Sequence, residues 1–315
     1  MSDVKVSVIG AGFWGQNHVR VLSKLEGVLL ESVYDIDIIK AKSIAERYRC
    51  KIAESLDDAI KRSDAVVIST PTSSHFHIAL RALELGKHVF VEKPITSRSS
   101  EALKLIERAC KEGLLIMAGH IERFNMGFRR LHDLIKSNRL GEVVSIRTKR
   151  VSSGASRISD VGVVLDLAIH DLDLVMLLTS SKPSTIYSIT GSKHSSKEDY
   201  AYIMMEMENG VEAYLEASWL TKRKIRLMEV TGFEGTAELD FLSQEVSVKL
   251  EKEEFTIAGP WIEPLRLELE NFVKSIRGEE KPYVTGVDGY RALLCAELAL
   301  ESSRARRPVK VEFEI

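Results

Sequence analysis

The stretch Val4-Lys5-Val6-Ser7-Val8-Ile9-Gly10-Ala11-Gly12-Phe13-Trp14-Gly15, followed twenty residues later by Asp35, decides how the rest of the chain is read. Residues 4–9 alternate and then run into a glycine, the pattern of a buried strand ending at a tight turn. From about Trp14 to Leu25 the pattern is helical, and a second strand, 29–34, ends at Asp35. A G-x-G-x-x-G between strand and helix, with an acid closing the next strand, is the full context of a dinucleotide-binding turn. Gly10 would supply the turn, Gly12 would let the backbone approach a pyrophosphate, and Gly15 would let helix and strand pack closely. The helix start, with Phe13 and Trp14, would offer N–H groups and its dipole to the phosphates. A purely structural glycine turn is the plainer alternative, and the flanking elements weigh against it. An acid at position 35 accepts hydrogen bonds from ribose hydroxyls and repels a 2′-phosphate, so NAD is expected over NADP.

Outward from this stretch the alternation continues. Helices are expected near 38–48, 56–61, 75–85 and 99–111, and strands at 65–69, 88–91 and 114–118. Strands alternating with helices through short links predict a parallel, doubly wound sheet, that is, a Rossmann domain over 1–120. After Gly119 the rhythm changes. A helix near 127–137, a strand at 143–150, a Ser/Gly-rich loop at 151–160 and a helix at 162–178 precede six strands at 184–191, 200–208, 211–219, 225–232, 236–241 and 245–250. Glu208-Asn209-Gly210 and Glu234-Gly235 read as hairpin turns. Helices near 263–277 and 286–305 and a strand at 309–313 close the chain. Runs of strands with segregated helices predict an α+β second domain over 121–315.

Composition bounds the function. The chain has 315 residues, 44% of them hydrophobic and 29% charged, which excludes a disordered or low-complexity protein. With 44 basic and 46 acidic side chains the net charge is −2, so no global basic field exists to hold nucleic acid or an anionic membrane. Cys50, Cys110 and Cys295 are odd in number and far apart, which fits a reducing cytoplasm. The first residues lack the basic and apolar regions of a signal peptide. The most apolar long window, 161–179, is interrupted by Asp166, His170, Asp171 and Asp173, so a membrane span fails there. Two Gln and five Asn among many charges fit a thermophilic source.

The candidate chemistry lies in three places. Glu92-Lys93-Pro94 follows the strand 88–91 at the carboxyl edge of the sheet, where ligands bind in such folds. Proline restricts Lys93 to extended backbone and makes a cis peptide accessible, which would fix the direction of the lysine; an exposed salt-bridging lysine is the alternative. Asp166, His170 and Asp173 fall along one stripe of the expected helix, beside an apolar stripe of Leu165, Ile169, Leu172 and Met176. His170 can move a proton near neutral pH, and Asp166 can orient a ring nitrogen or hold a hydroxyl. A metal site of the Asp/His/Asp type competes, as does a helix-surface histidine, but no second ligand cluster stands out and no metal is expected. Third, Arg123 and Asn125, in His120-Ile121-Glu122-Arg123-Phe124-Asn125, could reach a sugar, a phosphate or the nicotinamide amide, and could equally serve as helix cap or salt bridge. Thr70-Pro71 and His75, after the strand 65–69, could cap the next helix or border the cofactor.

Together, Gly10–Gly15, Thr70-Pro71 with His75, Glu92-Lys93-Pro94 and Asp166-x-x-x-His170 resemble the glucose–fructose oxidoreductase/inositol dehydrogenase/rhizopine-catabolism (Gfo/Idh/MocA) family over essentially the full length. The resemblance implies a C-terminal domain with a large, mainly antiparallel open sheet whose exposed face commonly makes a homodimer or homotetramer. It implies that Lys93, Asp166 and His170 form the catalytic group beside the nicotinamide, and that Thr70, His75 and Glu92 border the cofactor. The family's glycine-rich run before the aspartate is here Asp160-Val161-Gly162, a departure in that loop. The segment Gly119–Asn125 is similar to one found in the family's UDP-N-acetylglucosamine 3-dehydrogenase branch, implying a nucleotide-sugar substrate. The expectation is NAD-dependent oxidation of a secondary hydroxyl of a sugar or nucleotide sugar, with Arg123 and Asn125 on the substrate and either His170 or Lys93 as base. The alternatives are a redox glycosidase that uses held NAD transiently, and a non-catalytic NAD sensor, against which the joint presence of Lys93, Asp166 and His170 argues.

Overall fold

Six short strands, β1 (Val4–Ile9), β2 (Val28–Tyr34), β3 (Lys51–Ile52), β4 (Ala65–Ile68), β5 (His88–Glu92) and β6 (Ile116–Gly119), all pair in parallel. Between them lie α1 (Phe13–Leu22), α2 (Ile38–Tyr48), α3 (Leu56–Lys61), α4 (Thr72–Glu84) and α5 (Ser99–Glu112). The sheet order is β3-β2-β1-β4-β5-β6, so the winding reverses between β1 and β4 and opens a crevice at their carboxyl ends. All four residues of β4 are buried, and Val89–Val91 of β5 likewise, as the near-continuous apolar runs require of strands covered on both faces. This computed structural model describes residues 3–153 and 160–315. The two-residue strand β3 escaped the sequence reading because Lys51-Ile52 is too short to show a period.

The second sheet is built from β7 (Val143–Ser153), β8 (Pro183–Gly191), β9 (Tyr200–Met207), β10 (Glu212–Ser218), β11 (Leu220–Gly232), β12 (Gly235–Asp240), β13 (Glu245–Leu250) and β14 (Glu254–Ile257). A 3₁₀ turn (Ile121–Phe124) and α6 (Met126–Lys136) precede it, and α7 (Ile169–Thr179) follows β7. The chain closes with α8 (Pro264–Ile276), α9 (Gly286–Ala305) and β15 (Val309–Lys310). The nine strands are ordered β14-β13-β12-β11-β7-β10-β9-β8-β15, and only β7 and β10 pair in parallel. On β9 the side chains alternate strictly: Ala201, Ile203, Met205 and Met207 enter a core shared with Leu131, Leu172 and Val175, while Tyr202 and Met204 point away. β7 continues to Ser153, so the expected loop at 151–160 starts later, and its residues 154–159 lie outside the described residues.

The chain divides into Met1–Ile121 with Glu263–Tyr290, and Glu122–Ile262 with Arg291–Ile315. Residues 263–290 therefore pack with the Rossmann unit, although sequence order had grouped them with the second domain. Leu265, Leu269, Phe272 and Val273 of α8 are buried, and Phe272 meets Phe90 of β5 edge to face at 5.6 Å. No helix among the described residues is long and apolar enough to cross a membrane.

Candidate functional site

In the Rossmann unit the three glycines have different tasks. Gly10 sits at φ +102°, and a Cβ there would stand 2.8 Å from the Ser69 carbonyl carbon. A Cβ on Gly15 would strike the Gly10 carbonyl oxygen at 1.8 Å, which is the close helix–strand approach read from the motif. Around Gly12 nothing lies within 4 Å of an added Cβ, and no side chain caps α1, which starts there. Open space over an uncapped helix start fits the pyrophosphate of a dinucleotide. Phe13 and Trp14 are exposed beside it. Asp35 is anchored to this loop: its Oδ2 accepts the Ala11 N–H at 2.6 Å and its Oδ1 the Asp37 N–H at 2.8 Å. Each oxygen keeps a lone pair for a ribose hydroxyl.

The loops after β4 and β5 complete this half. The Thr70 hydroxyl accepts a hydrogen bond from Ser74 Oγ at 2.7 Å. His75 is buried, with Nδ1 2.9 Å from the Pro94 carbonyl and Nε2 2.9 Å from the Thr70 carbonyl. Glu92 is also buried, and its Oε1 lies 2.7 Å from Nε2 of His18 on α1. His75 and Glu92, expected to border the cofactor, thus tie turns together through polar atoms that face backbone or a histidine. Lys93 is half-buried at the carboxyl end of β5, and the Lys93–Pro94 peptide is cis.

The second unit carries the acid and the histidine. The expected single helix over 162–178 is interrupted: Val164–Ala168 form a π turn before α7 begins. Such turns recur at functional sites. Asp166 sits in the π turn and His170 in the first turn of α7, both nearly buried. Trp219 donates its indole N–H to Asp166 Oδ2 at 3.2 Å. Asp173 does not share this role: Arg123 grips it in a two-pronged ion pair at 2.6 and 2.7 Å. The Arg123 guanidinium, expected on the substrate, is buried in that pair. Asn125 takes the helix-cap alternative: its side-chain oxygen caps α6 through the Gly127 and Phe128 N–H groups, and its amide donates to the Phe241 carbonyl at 2.9 Å.

Arg150, fully buried on β7, joins Asp171 and Glu122 and lies 4.8 Å over the Phe241 ring. Burial opposes its charge, but the two carboxylates and their hydrogen bonds outweigh that, so the guanidinium is held more firmly protonated than an ordinary arginine. Arg226 of β11 stands opposite Arg150 in the ladder, and burial followed by the Arg150 charge lowers its pKa. Lys222, Arg223 and Lys224 are exposed, and none of these four cations forms an ion pair among the described residues. Trp219, Arg150 and the run 222–226 were not singled out from sequence. The only available signal was the cluster of four cations in five residues. Also among the described residues, no group of three or more His, Cys, Asp or Glu side chains is placed to hold a metal ion.

Comparison with known proteins matches both parts of the chain. The model of an oxidoreductase family with an NAD-binding Rossmann fold covers residues 4–120, and that of the same family's C-terminal alpha/beta domain covers 132–311. The UDP-N-acetylglucosamine 3-dehydrogenase of Acidithiobacillus ferrooxidans is 30% identical over 307 residues, 94% of this chain and 96% of that one. Its solved structure superposes with a TM-score of 0.90 over 97% of this chain and 99% of that one. The 2,7-anhydro-N-acetylneuraminate hydratase of Escherichia coli is 29% identical over 264 residues, 78% of this chain and 70% of that one.

Proposed function

Because this chain belongs to the Gfo/Idh/MocA oxidoreductase family and carries its NAD-binding Rossmann domain, we propose that it oxidises a secondary hydroxyl of a nucleotide sugar to a ketone, with UDP-N-acetylglucosamine, at carbon 3, as the substrate to test first. The observation that carries the substrate class is the run Lys222–Arg226, which starts three residues after the Trp219 that holds Asp166. A diphosphate would offer anionic partners to those of these cations that share a face of β11, which a neutral sugar or inositol would not.

Bound NAD supplies the hydride acceptor. The protein's residues then have to orient the hydroxyl and remove its proton. In this reading His170 takes the hydroxyl proton, Asp166 orients the reacting hydroxyl, and the Lys93 ammonium stabilises the alkoxide as it forms. The sugar loses one hydride and one proton and becomes the ketone. NADH production should therefore be seen with UDP-N-acetylglucosamine and be at least tenfold weaker with free N-acetylglucosamine and myo-inositol at equal concentration; equal rates would remove the nucleotide-sugar assignment.

The hydratase relative favours a second reading, in which the ketone is transient and is reduced again without net NADH. Self-association is proposed through the outer face of the second sheet, where Ile189, Tyr202 and Met204 are exposed together on β8 and β9. A monomer by light scattering would remove that part.

A further inference from the structure

Two buried histidines outside the proposed reacting group bracket the turn that carries Lys93. His18 lies on α1 three residues after Gly15 and is fully buried, packed edge-on against Phe90 at 5.4 Å. Its Nδ1 makes no hydrogen bond among the described residues, and an ionised carboxylate only accepts, so Nε2 is the nitrogen that donates to Glu92 Oε1 at 2.7 Å. Glu92's other oxygen accepts the Lys93 backbone N–H at 3.3 Å. The carboxylate occupies room left by a glycine: a Cβ on Gly119 would stand 3.1 Å from Glu92 Oε2.

On the far side of Lys93, the Pro94 carbonyl faces His75 Nδ1 and the Thr70 carbonyl faces His75 Nε2, each at 2.9 Å. A carbonyl only accepts, so the doubly protonated ring makes both bonds and the neutral ring makes one. Glu92 and Pro94, the residues immediately before and after the lysine, are thereby tied to α1 and α4, the helices that begin at the loops after β1 and β4.

From this arrangement we infer that His18 and His75 are positioning residues: they hold the backbone on both sides of Lys93 and so aim its side chain, coupling the dinucleotide loops to the lysine. The inference rests on the reading that Lys93 stabilises the alkoxide. Two histidines that merely filled the core would support folding without acting through Lys93.

The test compares His18→Leu, which removes the donor, with His18→Gln, which keeps one within reach of Glu92. Two readouts are used. In crystal structures of the NAD-bound variants, the Lys93–Pro94 turn should shift or lose order in His18→Leu and stay in place in His18→Gln; an unmoved turn in the leucine variant overturns the inference, whatever sugar the enzyme uses. In kinetics with NAD and UDP-N-acetylglucosamine, His18→Leu should lower kcat roughly 10–100-fold, the scale of an ångström's misplacement, while NAD affinity changes by less than about threefold. His18→Gln should recover to within about fivefold. In the Lys93→Met background, His18→Leu should add no further loss, because the group it aims is gone.

If Lys93→Met is as fast as the unmutated protein, the assignment of Lys93 fails and the positioning role falls with it. If Lys93→Met is slow but the His18→Leu loss multiplies on top of it, only the positioning inference fails. Should His18→Leu not fold, Glu92→Gln keeps the shape of the side chain while giving up one of its two acceptors, and the same two readouts apply.

Discussion

The two units hold their functional side chains by different means. In the Rossmann unit Asp35 and His75 are bonded to backbone: Asp35 accepts from the N–H groups of Ala11 and Asp37, and His75 faces the carbonyls of Thr70 and Pro94, while Glu92 is held by the His18 side chain. In the second unit they are held by other side chains: Trp219 holds Asp166, Arg150 joins Asp171 and Glu122, and Arg123 holds Asp173. Backbone partners survive most substitutions, because every residue but proline keeps its N–H and carbonyl. A side-chain partner is lost with one mutation, and inside a core the orphaned charge is then costly. Substitutions around the backbone-held Asp35 and His75 should therefore be tolerated better than substitutions of the side-chain partners, which are most numerous in the second unit and include the His18–Glu92 pair in the first.

The largest effect should come from the acid–base group. His170→Ala should lower the rate of NADH formation by about 10²–10⁴-fold, the usual contribution of a positioned base, with NAD affinity in the first unit nearly unchanged. Activity surviving within a few-fold would make His170 structural and leave the second unit with support but no chemistry.

Next in size is the ion-pair frame. Arg150→Leu strips the partner from two acids, one of them fully buried, and should cost about 3–5 kcal/mol in urea unfolding. Replacing Arg150 and Asp171 together by Leu and Asn should recover part of that loss, since no buried charge is then left at 171. A single Arg150→Leu costing less than about 1 kcal/mol would break the contrast between the units.

A smaller effect is expected at the cofactor. Asp35→Ser should narrow the preference for NAD over NADP by about 1–2 kcal/mol, the scale of a lost charged hydrogen bond. It should also leave the glycine turn formed, because Gly10 and Gly15 are dictated by close backbone contacts rather than by Asp35. NADP binding as tightly as NAD to the unmutated protein would refute the reading of position 35.

The same division explains what could be read from the sequence. The Rossmann strands, the glycine turn and Asp35 were legible because each depends on residues adjacent in the chain: an apolar period, a glycine where a Cβ would collide, an acid at a strand end. In the second unit the strands of the hairpins were legible from alternation, as on β9. The π turn was not, since an extra residue in a helical turn leaves the apolar spacing of 162–178 nearly intact. Arg123 and Asn125 illustrate the harder limit. Both have the chemistry of substrate ligands, and only their partners, Asp173 fifty residues on and Phe241 still farther, reveal an ion pair and a helix cap. Trp219 carried no local signal at all; its partner Asp166 is 53 residues away in the chain. For α8, order along the chain pointed to the second domain, whereas its apolar face packs on β5 of the first.

Net oxidation of a nucleotide sugar makes one NADH for every ketone, so the two products are counted against each other. With excess NAD and UDP-N-acetylglucosamine, NADH by absorbance and keto-sugar by mass spectrometry should rise together, one to one, and both should disappear in His170→Ala. A sugar product that accumulates while NADH stays constant would contradict net oxidation and favour the redox-neutral reading.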